Sequence, residues 1–195
     1  AGPVFRAPAS GGQYAFFRCT ERVCGGVSAA VCVFYLSAVL GDVVSYAEKW
    51  MRRALRCAKA AFTADEAPIG AVIVQNGEVV ATGRNMREKK RNALLHAEIV
   101  AIDRACKRLG AWRLEGCDIY VTLEPCPMCM GAILNARLDS VYFGAYDAKA
   151  GACGSVIDLN AYPFNHTCAV SGGHMEDESA KLLGDFFKRL RKRTK

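Results

Sequence analysis

Two short runs of residues constrain the fold of this 195-residue chain more than any other feature. They are residues 96–98 (HAE) and 125–129 (PCPMC), and each stands where a strand or loop is predicted to turn into a helix. Two cysteines two residues apart at a helix start can both bind one metal ion, because the N–H groups and dipole there stabilise thiolates. With His96 the set offers three ligands that suit Zn²⁺ and leaves the fourth position open, as catalytic zinc sites do.

A carboxylate follows the histidine by two residues, in the first turn of the same predicted helix. Glu98 can therefore face a metal-bound water without being a ligand, accept its proton and pass it on. A glutamate in this position can instead serve the helix dipole. The combination H-x-E followed by P-C-x-x-C matches the known signature of zinc nucleobase deaminases, and it favours the catalytic role.

Apolar periodicity predicts an α/β domain over residues 45–195. Ser45 and Glu48 have the spacing of a capping box, and apolar residues at helical spacing continue from there. Asn76-Gly77 predicts a hairpin turn. A sheet covered by helices on both faces is the expected result. The predicted helices are 45–62, 96–109, 127–136 and 176–193, and the predicted strands are 69–74, 78–82, 118–123 and 140–144.

Residues 1–44 differ in character from the rest of the chain. Their apolar run, residues 27–40, has 14 residues, fewer than the roughly 20 that a membrane span needs. It would fit the core of a signal peptide, but no A-x-A cleavage site follows it. We expect upstream sequence that is not part of the fold, with a targeting segment such as an organellar transit peptide as the alternative.

The basic excess of the chain is concentrated at its C-terminus. The net charge is +7, yet residues 45–180 are neutral and residues 181–195 carry +6. Such a segment suits a polyanion and predicts salt-sensitive binding, although it can also act as a solubilising tail. A second basic segment, residues 84–91, follows the predicted hairpin.

The ten cysteines do not have the spacing of a disulfide scaffold. Only Cys126 and Cys129 form a close pair, and several others stand in apolar runs, where a thiol acts as a small hydrophobic group. We therefore expect a reducing compartment.

Four segments carry a resemblance to a known family, the bacterial tRNA-specific adenosine deaminases. They are residues 94–103 (LLHAEIVAID), 112–133 (WRLEGCDIYVTLEPCPMCMGAI), 141–155 (VYFGAYDAKAGACGS) and 185–193 (DFFKRLRKR). The resemblance implies a cytidine-deaminase-like three-layer α/β/α sandwich with a central mixed sheet of about five strands. It also implies a cytoplasmic homodimer that converts the wobble adenosine of tRNA anticodons to inosine. The location would be organellar if residues 1–44 were a transit peptide.

The resemblance also implies a role for each residue of the centre. His96, Cys126 and Cys129 would bind one Zn²⁺ per subunit. Zinc-bound hydroxide would attack C6 of the flipped-out adenine, with Glu98 as the proton shuttle. No organic cofactor is implied.

Three further residues match positions that contact the RNA in this family. Asn85 would contact the target base, while Asp147 and Phe187 would hold anticodon nucleotides. From the residues alone, Asn85 could be a turn residue, Asp147 a loop cap and Phe187 a core aromatic. Arg84 stands before Asn85 where some bacterial members carry an aromatic residue.

Two other functions remain open at this stage. A deaminase of free bases or nucleosides would use the same zinc core but would not need the basic C-terminal segment. A zinc-stabilised RNA-binding subunit without activity would not need Glu98.

Overall fold

The computed structural model describes the backbone of residues 4–8, 14–18 and 29–193, and it describes side chains over residues 46–193. Within these ranges, no helix is both long enough and apolar enough to cross a membrane.

The chain divides into two compact units, Ala1–Ala47 and Glu48–Lys195. In the first unit, β1 (Val4–Pro8) and β2 (Tyr14–Arg18) form an antiparallel pair that the sequence analysis did not predict. The interpretation of residues 1–44 as upstream or targeting sequence stays a prediction.

The first helix begins earlier than we predicted. Helix α1 spans Ala29–Thr63, so Ser45 lies within it and does not begin it. The capping-box interpretation of Ser45 is therefore wrong. No proline interrupts this segment on either side of Ser45, so the chain contains no strong helix breaker there. Met51, Ala54 and Ala58, which follow Ser45 at helical spacing, are buried.

The sheet of the second unit is mixed and has five strands, as predicted. The strands are β3 (Gly70–Gln75), β4 (Glu78–Arg84), β5 (Cys117–Leu123), β6 (Ser140–Ala145) and β7 (Ala169–Ser171). Their order in the sheet is β4-β3-β5-β6-β7, in which β4, β3 and β5 are antiparallel and β5, β6 and β7 are parallel. Asn76 and Gly77 join β3 to β4 and both have positive φ, 50° and 77°, which a type I′ turn requires.

Helices cover both faces of this sheet. A Cβ at Gly70 would collide with the backbone of α1, and one at Gly83 with the backbone of α3. Gly83 pairs with Ala71, the neighbour of Gly70, and neighbouring residues point to opposite faces. Helices α1 and α3 therefore lie on opposite faces, which confirms the three-layer sandwich. The later helices are α2 (Arg87–Lys90), α3 (Ala97–Leu109), α4 (Pro127–Asn135) and α5 (Glu176–Arg193).

Three short elements were not predicted: α2, β7 and a 3₁₀ turn at Leu159–Ala161. Each has only three or four residues, too few to show a helical or strand period. The other predicted helices and strands of the second unit are present, with ends that differ by one or two residues.

Candidate metal centre and active site

The three predicted metal ligands meet at two helix N-termini. His96 is the N-cap of α3 and Cys126 the N-cap of α4, while Cys129 lies in the first turn of α4. The two helices pack against each other, and this contact brings His96 close to cysteines 30 and 33 residues further along the chain. All three ligand atoms lie within 4.8 Å of one another.

The spacing of these atoms fits a tetrahedral ion. Nδ1 of His96 lies 3.7 Å from Sγ of Cys126 and 3.5 Å from Sγ of Cys129. Zinc bonds of about 2.0 Å to nitrogen and 2.3 Å to sulfur, at a tetrahedral angle, separate the two atoms by about 3.5 Å. The two nitrogen-to-sulfur distances are therefore close to those around a bound ion.

The surroundings of Cys126 lower the pKa of its thiol. Hydrogen bonds from the Cys129 thiol and from His96 lower the pKa of Cys126 to about 4, despite partial burial. The hydrogen bond to Cys126 raises the pKa of His96 in turn. The pKa of Cys129 is raised, because its thiol donates to Cys126 and is buried. These contacts favour the thiolate form of Cys126, which is the form that binds a metal ion.

Glu98 lies beside this group but is not among its ligands. Its side chain is buried, with 4% exposure, and Oε2 has no hydrogen-bond partner within residues 46–193. Burial raises the pKa of Glu98 to about 7, against the opposing effect of nearby His96. A carboxyl group that titrates near neutral pH can both accept and donate a proton.

The backbone of Asn85 runs close to that of His96, although 11 positions separate the two residues in sequence. The N–H of Met86 donates to the carbonyl oxygen of Leu95 at 3.0 Å, which ties the residue after Asn85 to the residue before His96. Asn85 is 4% exposed, and its Nδ2 donates to Oε2 of Glu66 at 3.2 Å. The amide is thus buried and hydrogen-bonded, and its contact with the target base stays a prediction.

Asp147 and Phe187 have different surroundings. Oδ1 of Asp147 accepts hydrogen bonds from the N–H groups of Lys149 and Ala150, at 2.9 and 3.2 Å, so this residue caps its own loop. Phe187 is 42% exposed, whereas its neighbour Phe186 is buried. The core aromatic is therefore Phe186, and the ring of Phe187 remains accessible for stacking. The RNA contacts of Asp147 and Phe187 stay predictions.

Sequence reasoning missed two buried carboxylates near the centre, those of Glu66 and Glu124. Glu124 precedes the PCPMC run, and it accepts hydrogen bonds from the N–H groups of Asp147, Cys153 and Ser155 at 3.0, 3.0 and 3.1 Å. Burial alone would raise the pKa of Glu124, but these donors lower it below its usual value. Its position directly before the PCPMC run could have indicated a role at the site. Its hydrogen-bond partners could not be predicted, because they lie 23 to 31 residues further along the chain.

Part of the basic C-terminal segment has a structural contact. Nη2 of Arg189 donates to Oδ1 of Asp65 at 2.7 Å and to the carbonyl oxygen of Phe62 at 2.9 Å. Nη1 of Arg193 donates to the same Oδ1 at 3.0 Å. These two cations hold α5 against the end of α1. Lys181 and Lys188 have side chains that are 78% and 72% exposed.

The seven cysteines that the structure describes are free thiols, in agreement with the expected absence of a disulfide scaffold. They are Cys57, Cys106, Cys117, Cys126, Cys129, Cys153 and Cys168.

Comparison with known proteins gives consistent matches. The model of the MafB19-like deaminase family matches residues 46–191. The chain is 48% identical over 149 residues to the tRNA-specific adenosine deaminase of Bacillus subtilis, which covers 76% of this chain and 92% of that protein.

Two solved structures share the fold. One comes from studies of A-to-I editing by tRNA:A34 deaminases at the wobble position of transfer RNA; it has a TM-score of 0.67 and 44% identity over 69% of this chain and 98% of the other. The second is guanine deaminase from Nitrosomonas europaea, with a TM-score of 0.61 and 26% identity over 71% and 83% of the two chains.

The family model establishes the class of protein, since it spans nearly all of the second unit, including the centre. Within that class, the chain belongs to the family of tRNA-specific adenosine deaminases, because it is 48% identical to one member over 92% of that member's length. The resemblance stated from the sequence is confirmed.

Proposed function

We propose that this protein deaminates adenosine to inosine at the wobble position of tRNA anticodons and that it requires one Zn²⁺ per subunit. The observation that carries the proposal is the His96, Cys126 and Cys129 group, beside a buried Glu98 with one unsatisfied carboxylate oxygen. The family of the chain supports tRNA as the substrate.

The donor set supports zinc as the metal. Two thiolates and one imidazole are borderline-to-soft ligands, and magnesium or calcium would require oxygen ligands. Zinc supplies Lewis acidity, which makes water a competent nucleophile at neutral pH. Three protein ligands leave a position free for this chemistry.

Glu98 moves the protons of the reaction. Its carboxylate accepts a proton from the attacking water and delivers it to N1 of adenine as the new bond to C6 forms. It then transfers the second proton of the water to the exocyclic nitrogen, the bond from C6 to that nitrogen breaks, and ammonia leaves. The products are inosine and ammonia, and Glu98 returns to its starting state.

The remaining roles concern the RNA. Asn85 contacts the target base, while Asp147 and the exposed ring of Phe187 hold neighbouring nucleotides. The phosphates are met by two groups of cations. One group is in residues 84–91, and the other consists of the α5 cations that do not bind Asp65. The active form is a homodimer in the cytoplasm, as the family resemblance implies, or in an organelle if residues 1–44 target it there.

The first test is a deamination assay on the zinc-loaded protein. An anticodon stem-loop with adenosine at the wobble position is offered beside free adenosine, guanine and cytidine. We expect inosine in the stem-loop and no turnover of the free compounds. Turnover of guanine, with the stem-loop untouched, would replace the proposal with the activity of the guanine deaminase that shares this fold.

A further inference from the structure

Glu66 is a buried charge that the mechanism above does not use. It lies between α1 and β3 and is 1% exposed. Burying a carboxylate is costly unless hydrogen bonds replace its hydration. Here Oε2 accepts from Nδ2 of Asn85 and from the N–H of Glu88, both at 3.2 Å, and Oε1 accepts from the N–H of Lys89 at 2.7 Å.

The contact with Asn85 determines how its amide is turned. A carboxylate only accepts hydrogen bonds, whereas a carboxamide has a donor end and an acceptor end of nearly equal shape. The amino end of Asn85 must therefore face Glu66, and its Oδ1 must lie on the other side of the amide. Without a carboxylate at this position, the amide could turn by 180° and exchange its donors for an acceptor.

The same carboxylate holds the basic segment that follows. The N–H groups of Glu88 and Lys89 belong to α2 and have no partners within so short a helix. Glu66 therefore links the Asn85 amide to a turn that carries Arg87, Lys89 and Lys90.

We propose that Glu66 is a positioning residue, which orients the Asn85 amide toward the target base and ties that amide to the basic α2 turn. This inference rests on the proposed function, because it assumes that Asn85 contacts the base. It adds a residue whose effect on the reaction passes through Asn85 and not through the metal.

The variant that tests it is Glu66→Gln in the zinc-loaded full-length protein. A glutamine of the same size has one NH₂ group, which must face either the donors of Asn85 and Glu88 or the N–H of Lys89. When the NH₂ group faces Asn85, the Asn85 amide can invert, and its oxygen then accepts a hydrogen bond from the glutamine. We expect kcat/KM for the stem-loop to fall about 10- to 100-fold, the range expected for a lost hydrogen bond to a charged group. Zinc content should remain one per subunit.

Two comparisons separate positioning from general destabilisation. In an Asn85→Ala background, Glu66→Gln should cause little further loss, because the group through which it acts is gone. Glu66→Asp, which keeps a carboxylate, should retain more activity than Glu66→Gln. The matched control is Asp139→Asn, which makes the same chemical change near the start of β6. The Asp139 carboxylate accepts a hydrogen bond from the N–H of Gly116 at 3.0 Å. This variant should leave kcat/KM unchanged.

A direct measurement is independent of activity and of how the variant folds. In the ¹⁵N spectrum of the wild type, the side-chain amide of Asn85, assigned with Asn85→Asp, should show one N–H strongly protected from exchange with water. Rapid exchange of both N–H groups would overturn the proposal. So would unchanged kcat/KM in Glu66→Gln, or an equal loss in the Asn85→Ala background. If wild type leaves the stem-loop unmodified, the proposed function fails, while the amide spectrum still tests the orientation.

Discussion

At the scale of single residues, Glu98 is distinguished by a carboxylate that is fully enclosed and only partly satisfied. Oε2 of Glu98 has no hydrogen-bond partner among residues 46–193. A structural glutamate that served only the helix dipole would be solvated or hydrogen-bonded at both oxygens. This difference favours a proton-transfer role.

The change Glu98→Gln should therefore abolish turnover without releasing the metal. Glutamine keeps the volume but cannot carry a proton between water and base, and loss of general acid–base catalysis costs about 10²- to 10⁴-fold in rate. The measurement is single-turnover deamination of the stem-loop, together with zinc content by elemental analysis.

Glu115→Gln is the control for this change, because Glu115 lies at the surface with a side chain that is 68% exposed. It should keep both activity and zinc. Loss of zinc from Glu98→Gln would mean that Glu98 is a ligand after all.

At the scale of elements, the end of α1 and the C-terminal helix are held together by one acidic residue. Asp65 has positive φ, 59°, and its carboxylate accepts from both Arg189 and Arg193. The guanidinium of Arg189 also lies 4.1 Å from the ring centroid of Phe62. These contacts place α5 beside the loop that carries Glu66.

Asp65→Asn should loosen α5 while preserving the left-handed backbone, which asparagine tolerates. We expect the free energy of unfolding to fall by about 1 kcal/mol, since a partly exposed charged pair contributes little more than that. Urea denaturation of the zinc-loaded protein measures the loss, and tryptic cleavage within α5 should become faster.

The comparison for Asp65→Asn is Asp185→Asn, which removes ion pairs within α5 only, to Lys181 at 3.1 Å and Lys188 at 4.0 Å. It should cost less stability and should not release the helix from α1. Equal cleavage rates in the two variants would contradict the contact between α5 and Asp65.

At the scale of the whole molecule, the excess charge is concentrated in one segment, because residues 45–180 are neutral and residues 181–195 carry +6. Arg189 and Arg193 bind Asp65. Exposed lysines of the helix, such as Lys188 with a side chain that is 72% exposed, are better placed to meet phosphates. Electrostatic binding of this kind is recognised by its dependence on salt.

Replacing Lys188 and Lys192 with glutamine should therefore reduce the salt dependence of stem-loop binding. Each lost phosphate contact lowers the slope of log K against log salt by about 0.7 to 0.9. Fluorescence anisotropy between low and moderate salt measures this slope. The control is Lys107→Gln, at the opposite end of α3 from His96, and it should leave the slope unchanged. If the double variant also left the slope unchanged, the α5 cations would serve solubility and not RNA binding.

Features that depend on a few neighbouring residues were predictable from the sequence. The ligand run at the start of α4, the Asn76-Gly77 turn and the helices α3, α4 and α5 follow from spacing within one or two turns. The start of α1 was mispredicted because a local capping pattern at Ser45 can also occur inside a longer helix. The strand β7 and the helix α2 were too short to produce a period.

The sequence by itself indicated which residues could bind a metal and which could move a proton, because residue type and the local spacings H-x-E and C-x-x-C each lie within one helix turn. Only the tertiary structure decided that the two runs meet and which distant groups hold them in place. Glu66 binds Asn85 across 19 residues, Glu124 binds Ser155 across 31 and Arg189 binds Asp65 across 124. Such pairs form where packed elements bring side chains together, and no local period in the sequence records that packing.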